Sequence, residues 1–306
     1  MFSRILTKAT AGFAGLVLSA TVFASPLSEY NLILLEDYNF QGGDVEGRTF
    51  IGGDLNAAGM GADFASRVPT LNIVDSVNVV GDVTAANINV QHGNFVHGGN
   101  LNANVNLNGA GSVIHNPSLS ISSIADELFA QSLTYSGLAA NGTFNNVPNN
   151  SSFDYLGTDP LAVFSVDAAD VFAQNNSLRL NSGNAETVII NVAGTDITVN
   201  GGVNLVDGFR QNDIGFGNII WNFFEAETIN FGNLAMAGSV LAPFADITGG
   251  AVFEGSVAAE SYTGGREFHR FLFNTPNVSV PEPGPLSLLM LGIGFIALSR
   301  ARAKQA

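Results

Sequence analysis

Three groups of residues in this chain have side chains that could do chemistry. His92 and His97 lie in "QHGNFVHGGN", with His115 further on. Imidazoles bind zinc, but a zinc site needs three or four ligands converging on one point. A spacing of five on a strand–turn segment gives His92 and His97 no fixed common face, and no third ligand is nearby. They read as turn histidines. The second group is Arg266, Glu267, His269 and Arg270 in "GGREFHRF". On a strand, Glu267 and His269 point the same way, and such a pair could move a proton. The plainer reading is the polar end of the last β element. The third group is Asp44, Asp54 and Asp82, each placed after Gly and before an aliphatic. Stacked in a row they could bind calcium. They could equally cap turns, which Asp commonly does.

Other signatures are missing. There is no EF-hand loop, glycine-rich calcium repeat, phosphate loop, dinucleotide fingerprint or Ser–His–Asp order. The chain has no Cys, which excludes a thiol nucleophile, a disulfide staple and Cys-ligated zinc. No cofactor is assigned, and calcium is the one ion the acidic residues leave open.

The elements that would carry these residues are mostly strands. Gly and Asn punctuate short β-branched stretches, the composition of strands and turns. "TLNIVDSVNVVGDV" alternates Leu71, Ile73, Val77 and Val79; "NLNANVNLNG" alternates Leu101, Ala103, Val105 and Leu107 against Asn. A period of two with one apolar face predicts half-buried strands. Gly43-Asp44-Val45, Gly53-Asp54-Leu55, Gly81-Asp82-Val83 and Gly99-Asn100-Leu101 repeat one pattern, and "GSVLA" at Gly238 returns as "GSVAA" at Gly255. The spacing of about 17–18 residues predicts a mainly β fold, a β-solenoid with one coil per repeat. The rival all-β fold is a sandwich.

One segment departs from this pattern. "SSIADELFAQSLTYSGLAANG" predicts an amphipathic helix over about 123–139, packed alongside the sheet. Ser123 would be its N-cap, and Ile124, Leu128, Leu133, Tyr135 and Leu138 its buried face, with Gly137 or Asn141-Gly142 ending it. A polar loop around Asn145–Ser152 then separates an N-terminal from a C-terminal set of coils. Trp221, with Phe223 and Phe224, reads as core or coil-end packing rather than a ligand-stacking platform.

Both ends read as addresses. Arg4 and Lys8, an apolar run and small residues before Ala24 make residues 1–24 a secretory signal peptide, cut between Ala24 and Ser25. Residues 25–275 form the folded domain, and 276–285 a Pro-rich linker. Residues 286–306 hold a short apolar span followed by Arg300, Arg302 and Lys304. The span, Leu286 to Leu298, reaches roughly 20 Å against a hydrocarbon core of about 30 Å. It predicts a transient inner-membrane intermediate, its basic end retained in the cytoplasm. Between the ends, six Arg and no Lys face all 26 acidic residues. Such a surface repels nucleic acid.

The tail resembles the PEP-CTERM sorting signal of Gram-negative bacteria over Val280–Lys304: the Pro281-Glu282-Pro283 triplet, the short span and the Arg cluster. The resemblance implies processing by an exosortase near Pro281, Glu282 and Pro283, and release or attachment at the cell surface. It also implies a setting of extracellular polysaccharide. The middle, Tyr30–Phe273, is similar to the choice-of-anchor A adhesin-like domain. The similarity is carried by "NLILLEDYNFQGGDVEGRTFIGGDL", "IIWNFFEAETINF", "GSVLAPFADIT" and "GSVAAESYTGGREFHRFLF". Its last repeats look like those of ice-binding-like β-solenoids, which carry a helix along the side. The expected protein is therefore not an enzyme. It is an exported cell-surface or matrix protein, adhesive or associated with a polysaccharide or surface glycan. The runner-up is a β-helical polysaccharide lyase or glycoside hydrolase. Ice binding ranks third, because a Thr-x-Thr face is absent.

Overall fold

The computed structural model describes residues 25–276. Ala24 and the expected signal peptide lie outside those residues, as do Pro281, Glu282, Pro283, Arg300, Arg302, Lys304 and the rest of the tail. Among the described residues no helix is long and apolar enough to cross a membrane.

The described chain is mainly β: a 20-stranded sheet, a separate 4-stranded sheet and a few short helices. The strand pairs are parallel except for Thr143–Asn145 with Ser152–Asp154, which rules out the antiparallel sandwich. Register sorts the large sheet into three parallel ladders. Several strands bend and serve two of them, among them Leu55–Phe64, Val83–Val90, Leu101–Leu107 and Val257–Gly264. Val83 faces Leu101, and Val240 faces Val257, as the repeat spacing predicts. Elsewhere the offset is longer: Leu55 faces Val83 and Val188 faces Ile219. Loops inserted between strands stretch the sequence period without shifting the register. One such loop holds Leu71 and Ile73, which are 91% and 60% exposed and not in a strand. Their apparent alternation is therefore not a strand, and the strand begins at Asp75.

The ladders do not follow chain order. Leu32–Leu34 lies between Val257–Gly264 and Thr49–Ile51, with Leu32 opposite both Val257 and Thr49. Tyr38 likewise lies between Tyr262 and Leu55. The N-terminal strands thus continue the C-terminal ones, and no loop divides the two sets. The loop expected at Asn145–Ser152 instead closes the small antiparallel pair.

Inward residues stack from rung to rung. An aromatic column runs through Phe172, Phe223, Phe231, Phe253, Tyr262 and Tyr38, with centroid separations of 5.6–6.2 Å. Each such pair contributes about 0.5–1.5 kcal/mol beyond simple burial. Trp221 is fully buried and its indole N–H donates to Ala237 O at 2.9 Å.

The helix α1 spans Ser122–Ser136 and ends at Gly137, near the predicted bounds. Its start differs from expectation: Ile121 is the N-cap and no side chain caps it. Ser120 Oγ instead accepts from Ser122 N–H, which places Ser123 inside the first turn. Leu128, Ser132 and Tyr135 are buried, whereas Leu133 is 73% exposed. Tyr135 and Leu133 are only two residues apart, about 200° around a helix, so one face cannot bury both. Leu128 and Tyr135 pack on Ile33, Phe50, Ile189, Ile220, Leu241 and Ala258, along one ladder. Buried amides fix the contact. Asn222 Nδ2 donates to Ser132 O and to Asn191 Oδ1. Ser132 Oγ donates to Asn222 Oδ1, and Asn191 Nδ2 to Tyr135 O.

Candidate functional site

The most regular surface of the described chain is a two-row polar face on one ladder. In spatial order its rungs are Asp196-Ile197-Thr198, Thr228-Ile229-Asn230, Asp246-Ile247-Thr248 and Ser261-Tyr262-Thr263. They continue as Asp37-Tyr38-Asn39, Asp54-Leu55-Asn56, Asp82-Val83-Thr84 and Asn100-Leu101-Asn102. Every rung reads polar, apolar, polar. The middle residues point inward and the flanking ones outward, because strand side chains alternate. Rungs lie about 4.8 Å apart, and the two rows about 6.6 Å apart along each strand.

One row is Thr and Asn throughout; the other holds five Asp. Both are knit laterally. Asn39 Nδ2 donates to Thr263 Oγ1 at 3.2 Å and Asn56 Nδ2 to Asn39 Oδ1 at 3.3 Å. In the acidic row Thr228 Oγ1 donates to Asp196 Oδ1 at 3.0 Å, and Ser261 Oγ donates to Asp246. The last carboxylates reach backbone. Asp37 Oδ1 accepts from Asp54 N–H, Asp54 Oδ1 from Asp82 N–H, and Asp82 Oδ1 from Asn100 N–H, each at 2.7 Å. The backbone amide and side-chain amide of Asn100 hold the Asp82 carboxyl below its usual pKa. Burial, then the charges of Asp246 and Glu36, push Glu260 beside this row upward.

This chain of caps revises the expected aspartate row. Asp54 and Asp82 do align, joined by Asp37, which lacks the preceding Gly that marked the others. Asp44 sits elsewhere, on a second ladder opposite Asp63. At Gly53-Asp54 and Gly81-Asp82 the repeat marks a turn whose carboxylate takes the next rung's amide. Among the described residues no group of three or more His, Asp or Glu is placed to hold a metal ion.

The second ladder gathers the other candidates. His269 lies opposite Glu254, and Phe268 lies between Phe253 and Val45. His269 Nδ1 meets Glu254 Oε2 at 3.0 Å and Nε2 meets Glu267 Oε2 at 3.3 Å. Glu46, next to Val45, accepts from Arg270 N–H at 2.8 Å and pairs with Arg67 Nε at 3.0 Å. Burial works against a charge on His269, but the hydrogen bond and charge of Glu254, then Glu46 and Glu267, outweigh it and raise the imidazole pKa. Burial, then Glu267 and Glu46, raise Asp44. With Glu254 on Nδ1 and Glu267 on Nε2, both ring nitrogens of His269 are engaged by carboxylates, and the Glu254 contact ties the last strand to its neighbour. Arg266 borders a shallow surface hollow with Gln41 and Thr263.

The histidines of "QHGNFVHGGN" separate as expected. His97 stacks on His115 at 4.9 Å, one rung apart. Their ring nitrogens contact Gly99 O and Gly98 O. His92 is buried at a turn, away from that stack, and its Nε2 has no hydrogen-bond partner.

The sequence reading missed the two-row face because its rungs come from distant parts of the chain. The tripeptide of Asp, Ser, Thr or Asn, then an apolar residue, then Thr or Asn could have found it.

These features define a class: a mainly β protein, built on a long parallel sheet, that presents a repetitive polar surface. The chain belongs to the family described as "Putative Ice-binding-like adhesive domain", whose model matches residues 23–270. That is an adhesive-domain family and not an enzyme family. It points to an extracellular or surface role. No curated protein and no solved structure matches the chain.

Proposed function

We propose that the three ladders are the faces of one β-solenoid, with α1 lying along one face. The two-row face is then its adhesive surface. The observation that carries this is the eight-rung repeat of outward Asp, Ser, Thr and Asn at constant register. A repeating surface suits a repeating ligand, because each added rung offers the same contacts again. Carboxylates and amides accept and donate to hydroxyls, so the ligand class is an extracellular polysaccharide or surface glycan. Export by the signal peptide and sorting through Pro281, Glu282 and Pro283 by an exosortase would deliver the domain to the outer surface or matrix. The membrane intermediate would be held by Arg300, Arg302 and Lys304.

The test mixes the protein with exopolysaccharide and follows the polymer by size-exclusion light scattering. Co-elution at unchanged polymer mass supports adhesion. Falling polymer mass would mean that the lyase or hydrolase reading is right. Ice binding is a second reading, favoured by the same regular spacing. The five aspartates argue against it, since carboxylates hold their hydration water tightly.

A further inference from the structure

The two ends of the ladders differ. At one end, the outermost strand Leu161–Asp167 is covered. Asn141 N–H and Gly142 N–H donate to Val163 O, and Val163 N–H donates to Asn141 Oδ1 at 2.7 Å. The antiparallel pair Thr143–Asn145 and Ser152–Asp154 and the short helix Ala168–Val171 close the same end. At the other end, Leu101–Leu107 pairs only with Val83–Val90, and Val113–His115 only with Asn94–His97. No described strand lies on their outer edges. Leu101, Ala103, Val105 and Leu107 pack on the core yet remain partly exposed, and Val113 and Ile114 are 42% and 38% exposed.

An open edge normally carries charge, Pro or a cap against pairing, and terminal repeats normally have capping faces. This end carries none of these on its strands. From Val83 to Ala125 the chain has no Asp, Glu, Lys or Arg, although 26 acidic residues lie in the molecule as a whole. Two copies of so acidic a protein repel each other on other surfaces, whereas the edge strands at this end carry no Asp, Glu, Lys or Arg. The outward residues of the edge strand are Asn102, Asn104 and Asn106. Asn106 Nδ2 already donates to Asn89 Oδ1 at 2.9 Å one rung in. Amides both donate and accept, so the same bond can be made to another Asn beyond the edge.

We propose that this open end binds a second copy of the chain. The two Leu101–Leu107 edges pair across a two-fold axis as antiparallel strands. The covered opposite end blocks head-to-tail growth, so the assembly stops at two. The dimer places two polar faces on one rod.

The test uses the full chain in mild detergent and sedimentation velocity, corrected for bound detergent. Wild type should sediment at twice the chain mass. Asn104→Lys with Asn106→Lys, and separately Asn104→Asp with Asn106→Asp, should each give monomers with unchanged circular dichroism. Mixing the two variants should restore the dimer, which a folding defect could not do. A monomeric wild type would overturn the proposal. So would dimerisation of the lysine variant alone. A monomer whose Leu101–Leu107 amides are protected from hydrogen exchange would show that another part of the chain covers the edge, and would also overturn it.

Discussion

Asp54 Oδ1 accepts the backbone N–H of Asp82 at 2.7 Å, and Gly81 makes room for it. A Cβ on Gly81 would sit 2.2 Å from that same oxygen and 2.6 Å from Gly53 O. The same clash would occur at Gly53 with Asp37 Oδ1 and at Gly99 with Asp82 Oδ1, each at 2.3 Å. Gly and Asp are therefore one device, split between consecutive rungs.

Asp54→Ala should cost about 1–3 kcal/mol, the range for leaving an amide without its acceptor. Asp54→Asn keeps an oxygen in place and should retain most of the stability. Gly81→Ala should cost at least as much as Asp54→Ala, because the new methyl meets backbone as well as carboxylate. Urea unfolding of the three variants decides this. Equal loss in Asp54→Asn and Asp54→Ala would show that charge, not the cap, matters.

Helix α1 should respond unequally along its faces. Leu128→Ala removes a fully buried side chain and should cost about 2–5 kcal/mol. Leu133→Ala touches an exposed one and should stay within about 0.5 kcal/mol. Asn222→Ala leaves buried partners on Ser132 and Asn191 unpaired, so a loss of about 2–4 kcal/mol is expected. Thermal or urea melts of the three order them directly.

Stability should rise on mild acidification. His269 has a raised folded-state pKa. Its contribution is complete below its unfolded value, about 6.5, and is lost as pH climbs through the folded value. Asp44 is also raised, so its ionisation as pH rises disfavours the folded state. The His269 loss begins near its unfolded value and runs upward, the Asp44 penalty sets in lower, just above the ordinary Asp range, and both make stability fall as pH rises. Asp82 and Asp154 are lowered, and their contribution is lost only as pH falls below the ordinary Asp range. Melting temperature should therefore peak in the mildly acidic range, and His269→Gln should flatten the alkaline limb. An unchanged limb in that variant would remove His269 as its source.

On the polar face, Thr248→Tyr and Asn39→Tyr place bulk in the middle of the Thr and Asn row. Thr248→Tyr should hardly move melting and Asn39→Tyr should lower it only by the loss of its two lateral hydrogen bonds, while retention on polysaccharide should fall at least tenfold in both. Binding that survives both changes would move the adhesive surface elsewhere.

At the tail, replacing Pro281, Glu282 and Pro283 with alanine should leave the precursor in the membrane fraction. Release at the normal rate would show that sorting does not depend on them.

The sequence alone determined what depends on neighbouring residues. Alternation at Leu101–Leu107 predicted a strand because side chains there alternate every residue. The Ser122–Ser136 helix was legible from its composition and from Gly137. Full burial of Trp221 followed from its apolar neighbours. Only the tertiary structure decided what depends on register between distant segments. Asp37, Asp54 and Asp82 align because ladder hydrogen bonds fix each rung, not because of any constant spacing. The insertions that carry Leu71 and Ile73 hide that alignment from the linear sequence. Leu32 meets Val257 because the first strands complete the edge left by the last ones. That edge can be filled by any strand of matching register, so no local signal names its partner. The polar face exists only once those rungs are stacked, and so does the uncharged edge at Asn104.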